Sequence, residues 1–528
     1  MGRLARSSIG FCALVTLASG ARAGDVSVRL DSGAGFSVRN TTGAIERLRV
    51  DEATGNISRN GLLLVHTTGG AFNLFVGYRA GNLTTTGNQN TAFGSFALSN
   101  NTTGFSNTAI AGLYRNTTGS NNTAVGSSAL ESNTSGSENT AVGIVSLFYN
   151  STGFFNTALG GRTLVYNTTG SRNTAVGNYA LRANTTGSSN TATGFQALYS
   201  NTTGIFNTAS GSYALRANTT GIRNTALGTY ALSNNTVGHE NVAFGAYSMR
   251  DNTSGYWNSA VGNLSLQSNQ TGRDNSAFGT GSLRANTTGG FNAAVGVYAL
   301  RENTIGAENT AVGTRALRVQ TTGIRNTALG AAALYNATTG NYNVAVGAIA
   351  GFAQTTGTDN IYIANMGAAA ENGRIRIGTV GRQTQANIAG IHGATSVGGI
   401  GVLVNASGTL GTTTSSARFK QDVRDMGEAS DVLMKLRPVS FRYREDAVGA
   451  EEAKTTQYGL IAEEVAEVAP ELVAPDLDGR PYSVKYHELP ALLVNEVQAQ
   501  RRLNEEQQRV IAAQSARIER LERALSAR

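Results

Sequence analysis

Along most of the chain the same apolar and polar positions return every seventeen residues. An asparagine recurs at 73, 90, 107, 122, 139, 156, 173, 190, 207, 224, 241, 258, 275, 292, 309, 326, 343 and 360, with a single step of 15 between Asn107 and Asn122. The full unit reads N-T-A-V-G-x-x-A-L-x-x-N-T-T-G-x-x, as from Asn173 to Ser189. A strict period of this length predicts one stacked coil per unit over 73–360. Two glycines split each coil into segments of seven and ten residues, and both are expected at corners taken with φ above zero. The shorter side, around Thr-Ala-Val, has the β-branched content of a strand. The longer side carries a leucine at the ninth position of the unit, from Leu98 and Leu130 through Leu181 and Leu232 to Leu334, with Met249 as the one substitution among the full-length units between those two ends. That column predicts a core spine. Stacked at roughly 4.8 Å per coil, the array would run for about 80 Å.

The flanks differ. Residues 24–72 hold short alternating runs such as Ile45-Glu-Arg-Leu-Arg-Val50, broken at Thr54-Gly55-Asn56, which predict a small β-rich cap. Residues 361–414 alternate as in Arg374-Ile-Arg-Ile-Gly378 and Gly401-Val-Leu-Val404 and predict a β shaft. After residue 414 the pattern predicts a helix near 429–436 stopped by Pro438, a strand over 439–443, a helix near 462–468 stopped by Pro470 and a strand around 482–485. From His487 the chain reads as helix to its end. Val497, Asn504, Ile511, Ile518 and Leu525 stand seven apart, so 496–526 is expected to form a coiled coil, weakened by polar Asn504, Gln507 and Gln514.

Composition sharpens the division. With 65 glycines in no three-residue period and 14% charged residues, the chain is neither collagen nor a charge-rich disordered segment. All five prolines and all four lysines lie beyond residue 414, so two different proteins join there. A leucine-rich repeat needs a longer period, and a calcium-binding roll needs a carboxylate in every turn, whereas the array holds only Asp251, Asp274 and Asp359. No cofactor or metal is expected, and His487-Glu488 reads as a helix start. The net charge of +8 is spread over scattered arginines, which argues against nucleic acid as a partner. The Asn-x-Thr triplets are glycosylation sequons, but turn-forming asparagine beside a β corner accounts better for their fixed phase. An outward threonine column leaves a second class of function open, a face for a flat lattice such as ice.

Residues 1–23 carry Arg3 and Arg6, an apolar run from Ile9 to Ala18, and Ala21-Arg22-Ala23, the layout of a secretory signal peptide. The protein is therefore expected outside the cell, secreted or at its surface. Cys12 lies within that segment, leaving the mature chain without cysteine. No later run approaches the roughly 20 apolar residues of a membrane span, so no transmembrane segment is expected.

Two resemblances add to this. The N-T-A-V-G coils resemble the left-handed β-roll heads of trimeric autotransporter adhesins and related fibre proteins, which implies handedness, a homotrimer and an adhesive role toward an unknown surface or glycan ligand. Ser415-Ser-Ala-Arg-Phe-Lys420, Tyr458-Gly-Leu-Ile-Ala-Glu-Glu-Val465, Ala469-Pro-Glu-Leu-Val473 and Tyr482-Ser-Val-Lys-Tyr486 together resemble the endosialidase-type intramolecular chaperone, the self-cleaving C-terminal domain of phage tailspikes. The resemblance implies Ser415 as nucleophile, Lys420 as its base and cleavage between Thr414 and Ser415, a single-turnover serine autoproteolysis. It departs from the family at Ser416, where Asp is usual. The expected architecture is mainly β: a long parallel β-solenoid, an α/β self-cleaving chaperone domain over 415–495, and the terminal coiled coil. The competing expectation is a non-cleaving structural or ice-facing solenoid that retains its trimerisation domain.

Overall fold

The structure is a computed structural model that describes residues 27–31, 35–39, 46–51, 55–59, 62–67, 70–391, 394 and 396–527. The signal peptide expected over 1–23 lies outside them. The chain divides into two compact units between Ala386 and Asn387.

In the first unit the strands Ser27–Asp31, Gly35–Arg39, Glu46–Val50, Ile57–Arg59 and Leu62–His66 pair antiparallel in chain order. The last of them pairs antiparallel with Leu74–Val76, the first strand of the array. Buried His66 closes this junction, its Nε2 2.7 Å from the carbonyl of Ala80 and its ring tilted against Phe75. From Leu74 onward the strands of the array are parallel and in register, as in Thr157↔Thr174, Ala158↔Ala175 and Leu159↔Val176, and three residues long except at the short coil, where Thr108–Gly112 and Thr123–Ala129 have five and seven. The result is a parallel β-solenoid of about 18 turns. One further coil follows Asn360 at a shorter step, with Ile375–Ile377 paired to Ile361–Ile363.

The inward-pointing residue is Phe75 in the first of these strands and Ala from Ala92 to Ala345, small enough to let the coil close over the leucines. Those alanines and the leucines of the longer side, among them Ala175, Leu181, Ala226 and Leu232, are all fully buried. The short coil keeps the column through Leu113, also fully buried. Its two missing residues are absorbed by a register shift between Ile110 and Gly112. At the far end Tyr362 takes the inward position and is fully buried, filling the wider space left as the coils stop.

The corners are built differently from the sequence expectation. The first glycine of the unit does have positive φ, as at Gly177 (118°). The second does not: a Cβ on Gly187 would run into Asn184 Oδ1 and the carbonyl of Gly204, so that glycine is required by close approach. Left-handed backbone falls instead on ordinary residues, such as Tyr179 (62°), Leu181 (49°) and Arg172 (58°). A non-glycine residue pays about 1–2 kcal/mol for that conformation, while full burial of a leucine side chain gains about 1.5–3 kcal/mol, so the spine position tolerates the turn.

Both asparagines of the unit are buried, and neither series has positive φ. At the first position Asn207 donates from Nδ2 to Asn190 Oδ1 (3.2 Å) and to the carbonyl of Gly221 (2.8 Å), and its own Oδ1 accepts from the backbone N–H and Nδ2 of Asn224. At the twelfth, Asn184 donates to Asn167 Oδ1 (2.8 Å) and to the carbonyl of Gly187 (2.9 Å). Two amide ladders thus run through the array. The sequon asparagines of the second ladder have no exposed surface to glycosylate in the folded coil.

Candidate functional site: the Ser415–Lys420 turn and its module

The second unit contains the hairpin Val402–Val404 and Leu410–Thr412, whose turn is held by Asn405 Oδ1 accepting from the N–H of Ser407 (3.1 Å) and Thr409 (2.9 Å). The chain leaves it for a single 3-10 turn, Ala417–Phe419. Ser416 caps this turn: its Oγ accepts from the backbone N–H of Arg418 (3.4 Å) and from Arg418 Nε (3.2 Å). A hydroxyl here makes, without the charge, the acceptor contacts that a carboxylate would make at a helix N-cap.

The turn carries Lys420 back toward Ser415, and Lys420 Nζ lies 3.4 Å from Ser415 Oγ. Thr414, Ser415 and Lys420 are all exposed. An amine within reach of a hydroxyl can take its proton and make a nucleophile of it, provided the amine is first neutral. Ser415 and Lys420 lie open to solvent in the single chain, whereas a proton transfer of this kind is favoured in a site from which water is excluded.

The other three sequence blocks come together with one another. Val439–Phe441 pairs antiparallel with Gln457–Gly459, and Val473–Pro475 with Pro481–Val484. The helix Ala462–Val468 and the strands around it bury Val465, Ala469, Leu472, Val473, Val484 and Leu492 in a small core. Tyr486 Oη accepts from the N–H of Leu460 (2.9 Å), and Lys485 Nζ donates to the carbonyl of Glu471 (2.8 Å). The hydrogen bonds that shape the Ser415–Lys420 block are local to it.

Residues 427–435 form a helix of 3-10 type, in the stretch where a helix near 429–436 was expected. A side-chain clasp ties it to the last helix: Asn495 Nδ2 donates to the carbonyl of Gly427 (2.8 Å) and to Ser430 Oγ (2.8 Å). Buried Ser430 also bonds Glu496 (3.1 Å). Sequence reasoning missed this clasp, because Ser430 and Asn495 carry no motif and meet only in the fold. The final helix runs from Leu489 to Ser526. Its heptad positions Val497, Ile511, Ile518 and Leu525 are exposed in the single chain.

Among the described residues no helix is long and apolar enough to cross a membrane, and no three metal-binding side chains cluster. The chain is a repeat β-solenoid followed by a small module of short helices and hairpins and by a final helix of 38 residues. Residues 415–474 of that module match the model of a family described as chaperone of endosialidase, a family of self-cleaving chaperone domains. No curated protein and no solved structure matches the chain. The combination fits a trimeric fibre-like protein with an intramolecular chaperone.

Proposed function

We propose that this is an exported homotrimeric fibre of adhesin type whose C-terminal module sets three chains in register and then severs itself before Ser415. The observation that carries the reading is the 3.4 Å approach of Lys420 Nζ to Ser415 Oγ at the first residue of the matched segment. Lys420 takes the hydroxyl proton, Oγ attacks the carbonyl carbon of Thr414, and the peptide C–N bond breaks as its nitrogen receives the proton. The acyl group then sits as an ester on Ser415 Oγ, with the serine nitrogen free. Water hydrolyses that ester, leaving a carboxylate on Thr414 and a new N-terminus at Ser415.

Assembly gives the covered setting that the dyad needs. Two exposed surfaces support three chains: the heptad seam of the final helix, and the strand face of the solenoid, where Phe93, Ile110, Leu159, Leu227, Phe244 and Phe278 line up as outward apolar residues. Parallel coils nucleate slowly because their pairings are non-local, and a C-terminal module that fixes register removes that barrier. The array is the adhesive part, toward a surface or glycan ligand. A lattice-facing role is less well supported, because the threonine column is replaced at Val242, Ser259, Ser276 and Ala293 in four successive registers.

Intact mass and N-terminal sequencing of the purified full-length protein test the cleavage. Fragments 24–414 and 415–528 are expected, abolished in Ser415→Ala and in Lys420→Ala, and absent when Ile511→Asp and Ile518→Asp break the seam. A cut that persists in Ser415→Ala sinks the mechanism, and a monomer mass for the uncleaved variant sinks the trimer.

A further inference from the structure

The two positions before each first-ladder asparagine vary freely in the repeat, as in Ser188-Ser189 or Ala307-Glu308. In three consecutive coils they hold His239-Glu240, Tyr256-Trp257 and Arg273-Asp274. Residues seventeen apart are neighbours on adjacent coils, so these side chains meet. The rings of His239 and Tyr256 stack at 4.9 Å with planes 5° apart. Arg273 Nη1 donates to Tyr256 Oη at 2.8 Å, and its guanidinium lies 5.8 Å from the same ring. Trp257, the only tryptophan in the chain, stands at 77° to Tyr256 with ring centres 5.1 Å apart. Its Nε1 donates to Glu240 Oε2 at 2.8 Å, and Glu240 Oε1 accepts from Arg223 Nη1 at 3.2 Å.

The indole is therefore fixed on its polar edge and braced by a perpendicular ring, yet 53% of its surface is exposed. With its N–H already bonded, what it offers a ligand is carbon surface. Around it stand hydrogen-bonding groups of both signs: Arg223 and Arg273, Glu240 and Asp274. A polyanion is disfavoured, because the two carboxylates beside the ring would repel phosphate or sulfate. An apolar peptide is disfavoured, because a protein hot spot wants an apolar, water-excluding surround. A pyranose ring matches, having a C–H face to lie on the indole and hydroxyls at its rim that both donate and accept. Since the groups are held before any ligand arrives, little ordering cost remains at binding.

We propose that Trp257, with Glu240, Arg223, Tyr256 and Arg273, forms a binding site for a neutral saccharide. This rests on the reading of the array as adhesive and supplies its ligand class. The test uses the full-length protein on a printed array of neutral and acidic glycans, followed by titration of the neutral oligosaccharides that bind, read by the emission of the single tryptophan. Saturable binding of a neutral glycan is expected, about tenfold or more weaker in Trp257→Ala and partly kept in Trp257→Phe, with melting unchanged in both. Binding equal in Trp257→Ala, binding of acidic glycans alone, or no glycan bound at all overturns the site. Beads coated with the full-length protein, retained under flow on mucin, collagen or glass, separate the two readings. Retention that survives Trp257→Ala, with no effect of the variant on the array, removes this site and leaves adhesion standing. Loss of all retention despite Trp257-dependent glycan binding removes the adhesive reading and leaves the site.

Discussion

Replacing Asn207 by Ala would show what the repeated asparagine is for. The side chain is fully buried and takes part in four hydrogen bonds: Nδ2 to Asn190 Oδ1, Nδ2 to the carbonyl of Gly221, and Oδ1 from both the backbone N–H and Nδ2 of Asn224. Alanine removes all four, but the partners are not equally affected. Asn190 Oδ1 keeps the backbone N–H of residue 207, the carbonyl of Gly221 keeps Asn218 Nδ2, and Asn224 Nδ2 keeps the carbonyl of Gly238. The backbone N–H of Asn224 loses the acceptor it has. One orphaned buried donor costs about 1–3 kcal/mol and each weakened group about 0.5–1.5 kcal/mol, so the loss is expected near 4 kcal/mol. A turn-forming asparagine would lose only about 1 kcal/mol on the same change.

The solenoid behaves as a stack of coupled coils, so the effect belongs to the coils around 190–240. Native-state hydrogen exchange on the full-length protein reads it, with the amide of Asn224 accelerated most. Asn207→Asp adds a control of the same shape: it loses both donors and places a carboxylate against Asn190 Oδ1 and the Gly221 carbonyl. Its folded-state carboxyl is held protonated by burial, so the variant recovers stability as pH falls toward the ordinary aspartate range. A change in opening energy below about 1 kcal/mol for Asn207→Ala would refute the ladder as a source of stability.

Three further outcomes follow from the same unit. The second ladder stops at Asn303, whose Oδ1 is buried without a partner beside both amide atoms of Gln320, and the next position is Ala337. Gln320→Asn with Ala337→Asn should therefore stabilise the end of the array by about 1–3 kcal/mol, read by the denaturation midpoint; unchanged or lower stability speaks against it. Leu232→Asp places an unpaired charge in the fully buried spine and should open the surrounding coils to protease, whereas an unchanged digestion pattern would place that residue outside the core. Burial holds the His66 imidazole below its ordinary value despite its bond to the Ala80 carbonyl. The stability His66 contributes is thus full above about pH 6.5 and is lost as pH falls through the depressed folded value. Exchange in the 62–80 segment should rise on acidification, and His66→Gln should flatten that response.

The period, the leucine spine and the change of character after residue 414 were legible in the sequence. Every coil has the same surroundings, so a residue that each coil needs must recur at one phase, and recurrence is visible without coordinates. The Ser415–Lys420 pair was picked out only through the resemblance of its block to the endosialidase-type chaperone, since its spacing alone marks no site. What recurrence does not reveal is why a residue is needed. Asparagine suits an exposed turn and a buried amide ladder equally well, and only the fold decides between them, because it brings the Gly221 and Gly187 carbonyls within reach of asparagines of their own coil and the asparagines of neighbouring coils within reach of one another. The left-handed backbone at Leu181 is equally invisible, since local preference opposes it and burial overrides it. The clasp of Ser430 by Asn495 joins residues far apart along the chain, and the pose of Trp257 depends on Glu240 one coil away. Local pattern is written in the sequence because it is repeated or contiguous. Contacts made once, between distant side chains of no special type, exist only after the chain has folded.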